Sequence, residues 1–173
     1  MILNSEQIIE KKLLKLEHTQ GKPSQVGYDL SLKQVNVVGD KKGLAGYKIG
    51  KILKDKTELT NYTPYHTILL DDIRGWLLYE GVYDITFNEG CKIPNDKVAF
   101  IKQRSSLYRN GTIINSPVFD PGFESEFMGT IMYVHCPIFI EEKARVAQIY
   151  FHECTSTEEY DGQWQFDRQR VFY

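Results

Sequence analysis

The sequence holds only three cysteines, Cys91, Cys136 and Cys154, widely spaced and odd in number. That count excludes a disulfide framework and fits a reducing compartment. The chain also lacks the H-x-E and P-C-x-x-C pattern of a zinc deaminase and the G-x-x-x-x-G-K-[ST] run of a phosphate-binding loop. His152-Glu153-Cys154 is superficially ligand-like, but strand alternation puts His152 and Cys154 on one face with no further ligands nearby in sequence, so a structural pair is expected. No apolar stretch approaches the length needed to span a bilayer, and MILNSEQIIEKKLLKLEH carries no secretory signal. A cytoplasmic protein is the expectation. Charge of one sign is scarce too: 21 basic against 23 acidic side chains leave a net charge of -2. Bulk electrostatics therefore give no reason to expect a nucleic-acid or membrane partner, and an anionic ligand must be met by a few local cations.

What is present reads as one β-rich domain over residues 1–173, a length that buries a core without metals or disulfides. Ser5 is a modest helix start, and Ile2, Ile8, Ile9, Leu13, Leu14 and Leu16 recur at roughly helical spacing, predicting one short leading helix through residue 17. After residues 21–24 the texture changes to short runs rich in β-branched and aromatic residues: 26–38, 48–53, 66–70, 76–87, 97–103, 111–115, 127–135 and 145–153. Turn-formers separate them, among them Asn88-Glu89-Gly90, Pro94-Asn95-Asp96 and Asp120-Pro121-Gly122. The spacing predicts an antiparallel barrel or sandwich. Residues 39–65, rich in Gly, Lys and Thr, read as a long excursion, and 155–173 as a C-terminal arm too aromatic for plain disorder.

Four segments carry the chemistry. Gly27-Tyr28-Asp29-Leu30 supplies a carboxylate. In Gln103-Arg104-Ser105-Ser106-Leu107, a forked cation and two hydroxyls at a turn suit phosphate oxygens. In Phe119-Asp120-Pro121-Gly122-Phe123, Asp120 can accept a proton from water and Phe123 can set a ring beside a sugar or base. The fourth is Arg145-Val146-Ala147-Gln148-Ile149. Taken singly, an Arg-Ser-Ser or Asp-Pro-Gly tripeptide is usually an ordinary turn, and Arg145 and Gln148 would usually face solvent.

As an ordered set, GYDL, RSSL, FDPGF and RVAQI resemble motifs one to four of the dUTPase and dCTP deaminase superfamily. MILNSEQI and IPNDKVAFIKQRSSLYRNG are similar to the deaminase branch. The resemblance implies a distorted β-barrel or jelly-roll assembled as a homotrimer with active sites between subunits. It implies hydrolysis of dUTP to dUMP and diphosphate with Mg2+. Asp29 would position the magnesium-bound triphosphate through water, Arg104, Ser105 and Ser106 would contact phosphates from an adjoining subunit, and Gln148 would face the nucleotide. Asp120 would activate the attacking water, and Phe123 would pack on deoxyribose. Ser105 and Arg109 match the deaminase segment, yet Thr130 stands where deaminases carry their proton-shuttling glutamate, and a threonine hydroxyl is a poor shuttle near neutral pH. In the arm, Tyr160 and Gln165 match phosphate-contacting positions, with Gln163 where a lysine is usual. A dCTP deaminase, alone or bifunctional, and a non-catalytic nucleotide-binding regulator remain the alternatives.

Overall fold

The computed structural model describes residues 1–38, 62–155, 158–162 and 165–167. The strand expected at 48–53 and most of the 39–65 excursion lie outside the described residues, as does Gln163. In chain order the elements are α1 (Ser5–Glu10), β1 (Leu14–Lys15), β2 (Lys22–Pro23), β3 (Tyr28–Val38), β4 (Tyr62–Pro64), β5 (Ile68–Leu70), β6 (Ile73–Leu78) and β7 (Gly81–Phe87). Next come β8 (Gly90–Lys92), β9 (Lys97–Gln103), α2 (Ser105–Arg109), β10 (Thr112–Asn115), β11 (Glu124–Ser125), β12 (Gly129–Val134), β13 (Ile138–Glu141) and β14 (Arg145–Glu153), then a 3-10 turn at Gln165–Asp167.

The leading helix is shorter than its apolar spacing predicts. Its cap is Asn4 rather than Ser5: the Asn4 side chain accepts from the Gln7 amide at 2.9 Å, and the Gln7 side chain accepts from the Asn4 amide at 3.0 Å, a reciprocal capping box. The helix stops at Glu10, and Lys12 adopts φ +52°, so Leu13 and Leu14 enter the core from a turn and a strand. A second helix, α2, stands where Arg-Ser-Ser reads as a turn, so the chain has two short helices among the described residues, against the one expected.

Six strands close into a barrel in the order β14-β9-β10-β12-β7-β3, and β14 pairs back onto β3. Alternation gives each strand an inner and an outer face. Leu30, Leu32, Val35, Ile85, Phe87, Ile101, Ile114, Met132, Ile149 and Phe151 are buried in the core, each contributing roughly 1.5–3 kcal/mol relative to exposure. A smaller sheet, β13-β6-β5, stands beside the barrel, and β1-β8-β11 forms a third. No helix among the described residues is long and apolar enough to cross a membrane.

Two strand registers set the positions of the motif side chains. On β3 and β14, Asp29 lies opposite Gln148, and the pairing shifts between Arg145 and Ala147. On β12 and β7, Thr130 lies opposite Ile85, and Ile131 opposite Asp84.

Candidate active site

Asp29 is buried on β3, 5 % exposed. A carboxylate in such a place needs a charged partner, and it has two: Arg145 Nη1 at 3.3 Å and Arg104 Nε at 3.6 Å, both on Oδ2. Arg145, which taken singly would face solvent, is turned onto Asp29 beside the register shift in β14. Arg104 caps α2; its amide donates to the Val146 carbonyl at 2.9 Å, fixing α2 against β14.

Asp29, Arg104, Ser105 and Gln148 line one open, polar pocket together with Lys22, Ser24 and Gln103. Gln148 holds the wall of that pocket: its Nε2 donates to Ser24 Oγ and, at 2.6 Å, to the Val26 carbonyl. Gly27, at φ +83°, lets the chain pass β14 so closely that a Cβ there would lie 2.1 Å from the Ile149 carbonyl oxygen, a position only glycine fills without strain. Ser106 and Arg109 are exposed on α2 and line neither this pocket nor the next. Their motif neighbours converge; these two do not.

A second cavity, of about 320 Å³, is lined by Asp120, Phe123, Tyr160, Thr130, Phe119 and Asp84 among others. Asp120 is exposed at its rim. The Phe123 ring, 8 % exposed, packs against Phe119 and Tyr160, each with centroids 5.4 Å away. Thr130 is buried and donates its hydroxyl to the Asn115 carbonyl at 2.8 Å, so its side chain gives this cavity wall a neutral group whose proton is already engaged. Among the described residues the two cavities share no lining residue.

Gln165 is placed differently from the expected phosphate contact. Its Oε1 accepts from the Glu124 amide and its Nε2 donates to the Gly122 carbonyl, both at 2.8 Å. Its amide group holds the chain's own turn.

The contacts of three residues are not legible in the sequence. Glu89, within an apparent turn, is fully buried and accepts from the Ser31 amide at 2.9 Å, the Ser31 hydroxyl at 2.7 Å and the Gly21 amide at 3.1 Å. It anchors the segment leading to Lys22 and Ser24. Asp84, on the β7 strand, accepts from Asn36 Nδ2 at 3.3 Å while lining the second cavity. Glu124, beside Phe123, is bridged by Lys15 at 2.9 Å and Lys92 at 3.3 Å. The Lys15 hydrogen bond, joined by Lys92, holds the Glu124 carboxyl below the usual carboxylate range against the opposing effect of burial. His152 packs with Phe100 and Tyr150, and no group of three or more potential metal-binding side chains occurs among the described residues.

The family model for dCTP deaminase-like proteins matches residues 2–154. The chain belongs to the dCTP deaminase-like family. Family relatives bear hydrolase names: a probable deoxyuridine 5'-triphosphate nucleotidohydrolase of Methanosarcina acetivorans is 30 % identical over 152 residues, covering 85 % of this chain and 81 % of that protein. The deoxyuridine 5'-triphosphate nucleotidohydrolase of Methanocaldococcus jannaschii is 43 % identical over 77 residues, 44 % of this chain and 49 % of its own. A probable enzyme of the same name from Halobacterium salinarum is 36 % identical over 88 residues, 51 % of this chain; the match spans 53 % of that relative's length, about half. Among solved structures, the 2'-deoxycytidine 5'-triphosphate deaminase of Agrobacterium tumefaciens superposes with a TM-score of 0.59 at 16 % identity, over 88 % of this chain and 48 % of that one. The native EIAV dUTPase gives 0.50 at 13 % identity, over 92 % and 100 %. Both are likenesses of fold.

Proposed function

We propose that this family member is a dUTP diphosphatase, a single catalytic domain hydrolysing dUTP to dUMP and diphosphate with Mg2+ as a cytoplasmic homotrimer. The observation that carries the reading is the second cavity, which Asp120 lines together with Thr130, whose hydroxyl is engaged; the resemblance that sets Thr130 against the deaminase glutamate supports a hydrolase. Asp120 accepts the proton of the water that attacks the α-phosphorus. Phe123, backed by Phe119 and Tyr160, presents a ring face to deoxyribose. Arg104 and Ser105 bind phosphate oxygens, Arg104 as a charged fork and Ser105 through its hydroxyl and the first-turn amides of α2, which lack intrahelical partners; Ser106, outside the polar pocket of its own chain, would reach phosphates only at a site shared with another copy. Gln148 orients the nucleotide.

The polar pocket and the second cavity lie apart within one chain, which supports a site completed by a neighbouring subunit: phosphate groups from one copy meet the Asp120 turn of another. The donor set also fits magnesium carried in by the triphosphate. Among the described residues Asp29 is the one carboxylate lining the polar pocket, which suits an ion bound mostly by phosphate oxygens and water rather than by a protein cage. Bound magnesium would supply neutralisation of phosphate charge; Asp29 would hold its water shell, and the two arginines on Oδ2 fix the orientation of that carboxylate.

Incubation with magnesium and dUTP, dCTP or dTTP separately, with products resolved by chromatography, tests the proposal. It expects dUMP from dUTP. Release of dUTP from dCTP would establish a deaminase instead, dUMP from dCTP a bifunctional enzyme, and tight binding without turnover a regulator.

A further inference from the structure

The Asp120 turn carries an unusual support. Gly122 O and Glu124 N flank Phe123, and in a strand those two groups would pair with the backbone of a neighbouring strand. Here the carboxamide of Gln165 takes that role, donating to one and accepting from the other, both at 2.8 Å. Gln165 is buried, 8 % exposed. The rest of the described arm follows the same track. The Tyr160 amide donates to the Pro121 carbonyl at 2.8 Å, and Asn95 donates to Glu159 at 2.6 Å. Gly122, at φ +82°, would place a Cβ 2.9 Å from Glu159 Cβ and 3.0 Å from the Tyr160 nitrogen. Arm and turn are therefore fitted to each other within one chain.

We propose that Gln165 is a positioning residue: its side-chain amide replaces a missing peptide partner and sets the backbone of the turn that presents Asp120 and Phe123. Seating the arm and forming the catalytic turn are then one event. The role in turnover rests on the hydrolase reading; the latch itself does not. A side chain reaching out to phosphates would act on triphosphate affinity. A side chain holding the turn acts on the orientation of the base and leaves ground-state binding largely alone, because small misplacements of reacting groups cost rate rather than affinity.

Two substitutions separate these roles. Gln165→Ala removes both bonds. Gln165→Glu keeps the shape and the acceptor for Glu124 N, but as a carboxylate it cannot donate to Gly122 O; once protonated it can. Amide hydrogen exchange at Glu124, read without nucleotide, reports the latch alone, since opening exposes that N–H. The expectation for Gln165→Ala is exchange at Glu124 faster by about tenfold, with kcat for dUTP lowered by about tenfold or more and KM changed by less than about threefold. Relative to wild type, Gln165→Glu should regain kcat as pH falls, a recovery that general destabilisation would not give. Unchanged exchange at Glu124, a rise in KM with kcat intact, or no acid recovery in Gln165→Glu would each overturn the inference. If the wild-type chain does not hydrolyse dUTP, the hydrolase reading fails, and exchange at Glu124 decides the latch by itself.

Discussion

Arg145 Nη1 lies 3.3 Å from Asp29 Oδ2 across the β3–β14 pairing, joining residues 116 positions apart. The carboxylate is buried while the guanidinium is about a third exposed, so most of the pair's value lies in not leaving Asp29 alone. Arg145→Ala leaves it with Arg104 at 3.6 Å and should destabilise the fold by roughly 1–3 kcal/mol, measured by urea unfolding. Arg145→Lys should recover only part of that, because an ammonium lacks the planar fork. Equal stability in all three proteins would remove the pair from the account of the fold.

Asp120 is exposed and no other side chain bonds or ion-pairs with its carboxylate among the described residues, so replacing it alters chemistry before it alters structure. Asp120→Asn should lower kcat for dUTP by about 10²–10⁴-fold, while binding of a non-hydrolysable dUTP analogue by calorimetry stays close to wild type. Undiminished turnover would take Asp120 out of the mechanism.

Thr130 lets the strand register be tested directly. Thr130→Glu restores a carboxylate to a cavity of about 320 Å³ that also holds Asp120, at the cost of the bond to Asn115. Ammonia release from dCTP above the wild-type level is the expected gain. A folded variant that never releases ammonia would count against Thr130 standing at the deaminase glutamate position.

Lys15 and Glu124 give a pH signature. Glu124 is depressed below its ordinary 4.5, so its contribution to stability is present above that value and is lost as pH falls through the lower folded pKa. Lys15 is raised above 10.5 by Glu124 and Glu126 despite the opposing effect of its burial, so its contribution is complete below 10.5 and is lost as pH rises through the folded value. Lys15→Met should cost roughly 0.5–1 kcal/mol near neutrality, and the gap to wild type should narrow in acid and in strong alkali. Thermal unfolding between about pH 3 and 11 would show it; a pH-independent gap would count against the pair.

Much of the barrel was legible because its strands alternate. Runs such as 97–103 and 145–153 bury every second side chain over most of their length, and that period is written in the sequence. The pieces that escaped are those without room for a period. Gly90–Lys92 and Glu124–Ser125 are three and two residues long, and α2, with five, is shorter than two helical turns. At the site, Asp29, Arg104, Ser105 and Gln148 were found and do share a pocket, since their motifs name them together. The contact of Arg145 with Asp29 cannot be read from alternation alone, because a strand residue next to a register shift no longer obeys it. Glu89 reads as a turn residue between Asn88 and Gly90, and only the fold brings Ser31 and Gly21 to its carboxylate. Gln165 was recognised as an arm residue, but which atoms it grips depends on how the arm lies.

The return of β14 onto β3 has a bearing on assembly. Each of the six barrel strands is flanked by a partner on both sides, so the ring offers no bare peptide rail onto which another chain could zip, the usual hazard of sheet proteins. Strand pairing between copies would be confined to the outer strands of the smaller sheets, such as β5 and β13, and the ring itself could be met only through side chains and loops. Association can then be altered by surface substitutions while the ring itself stays whole.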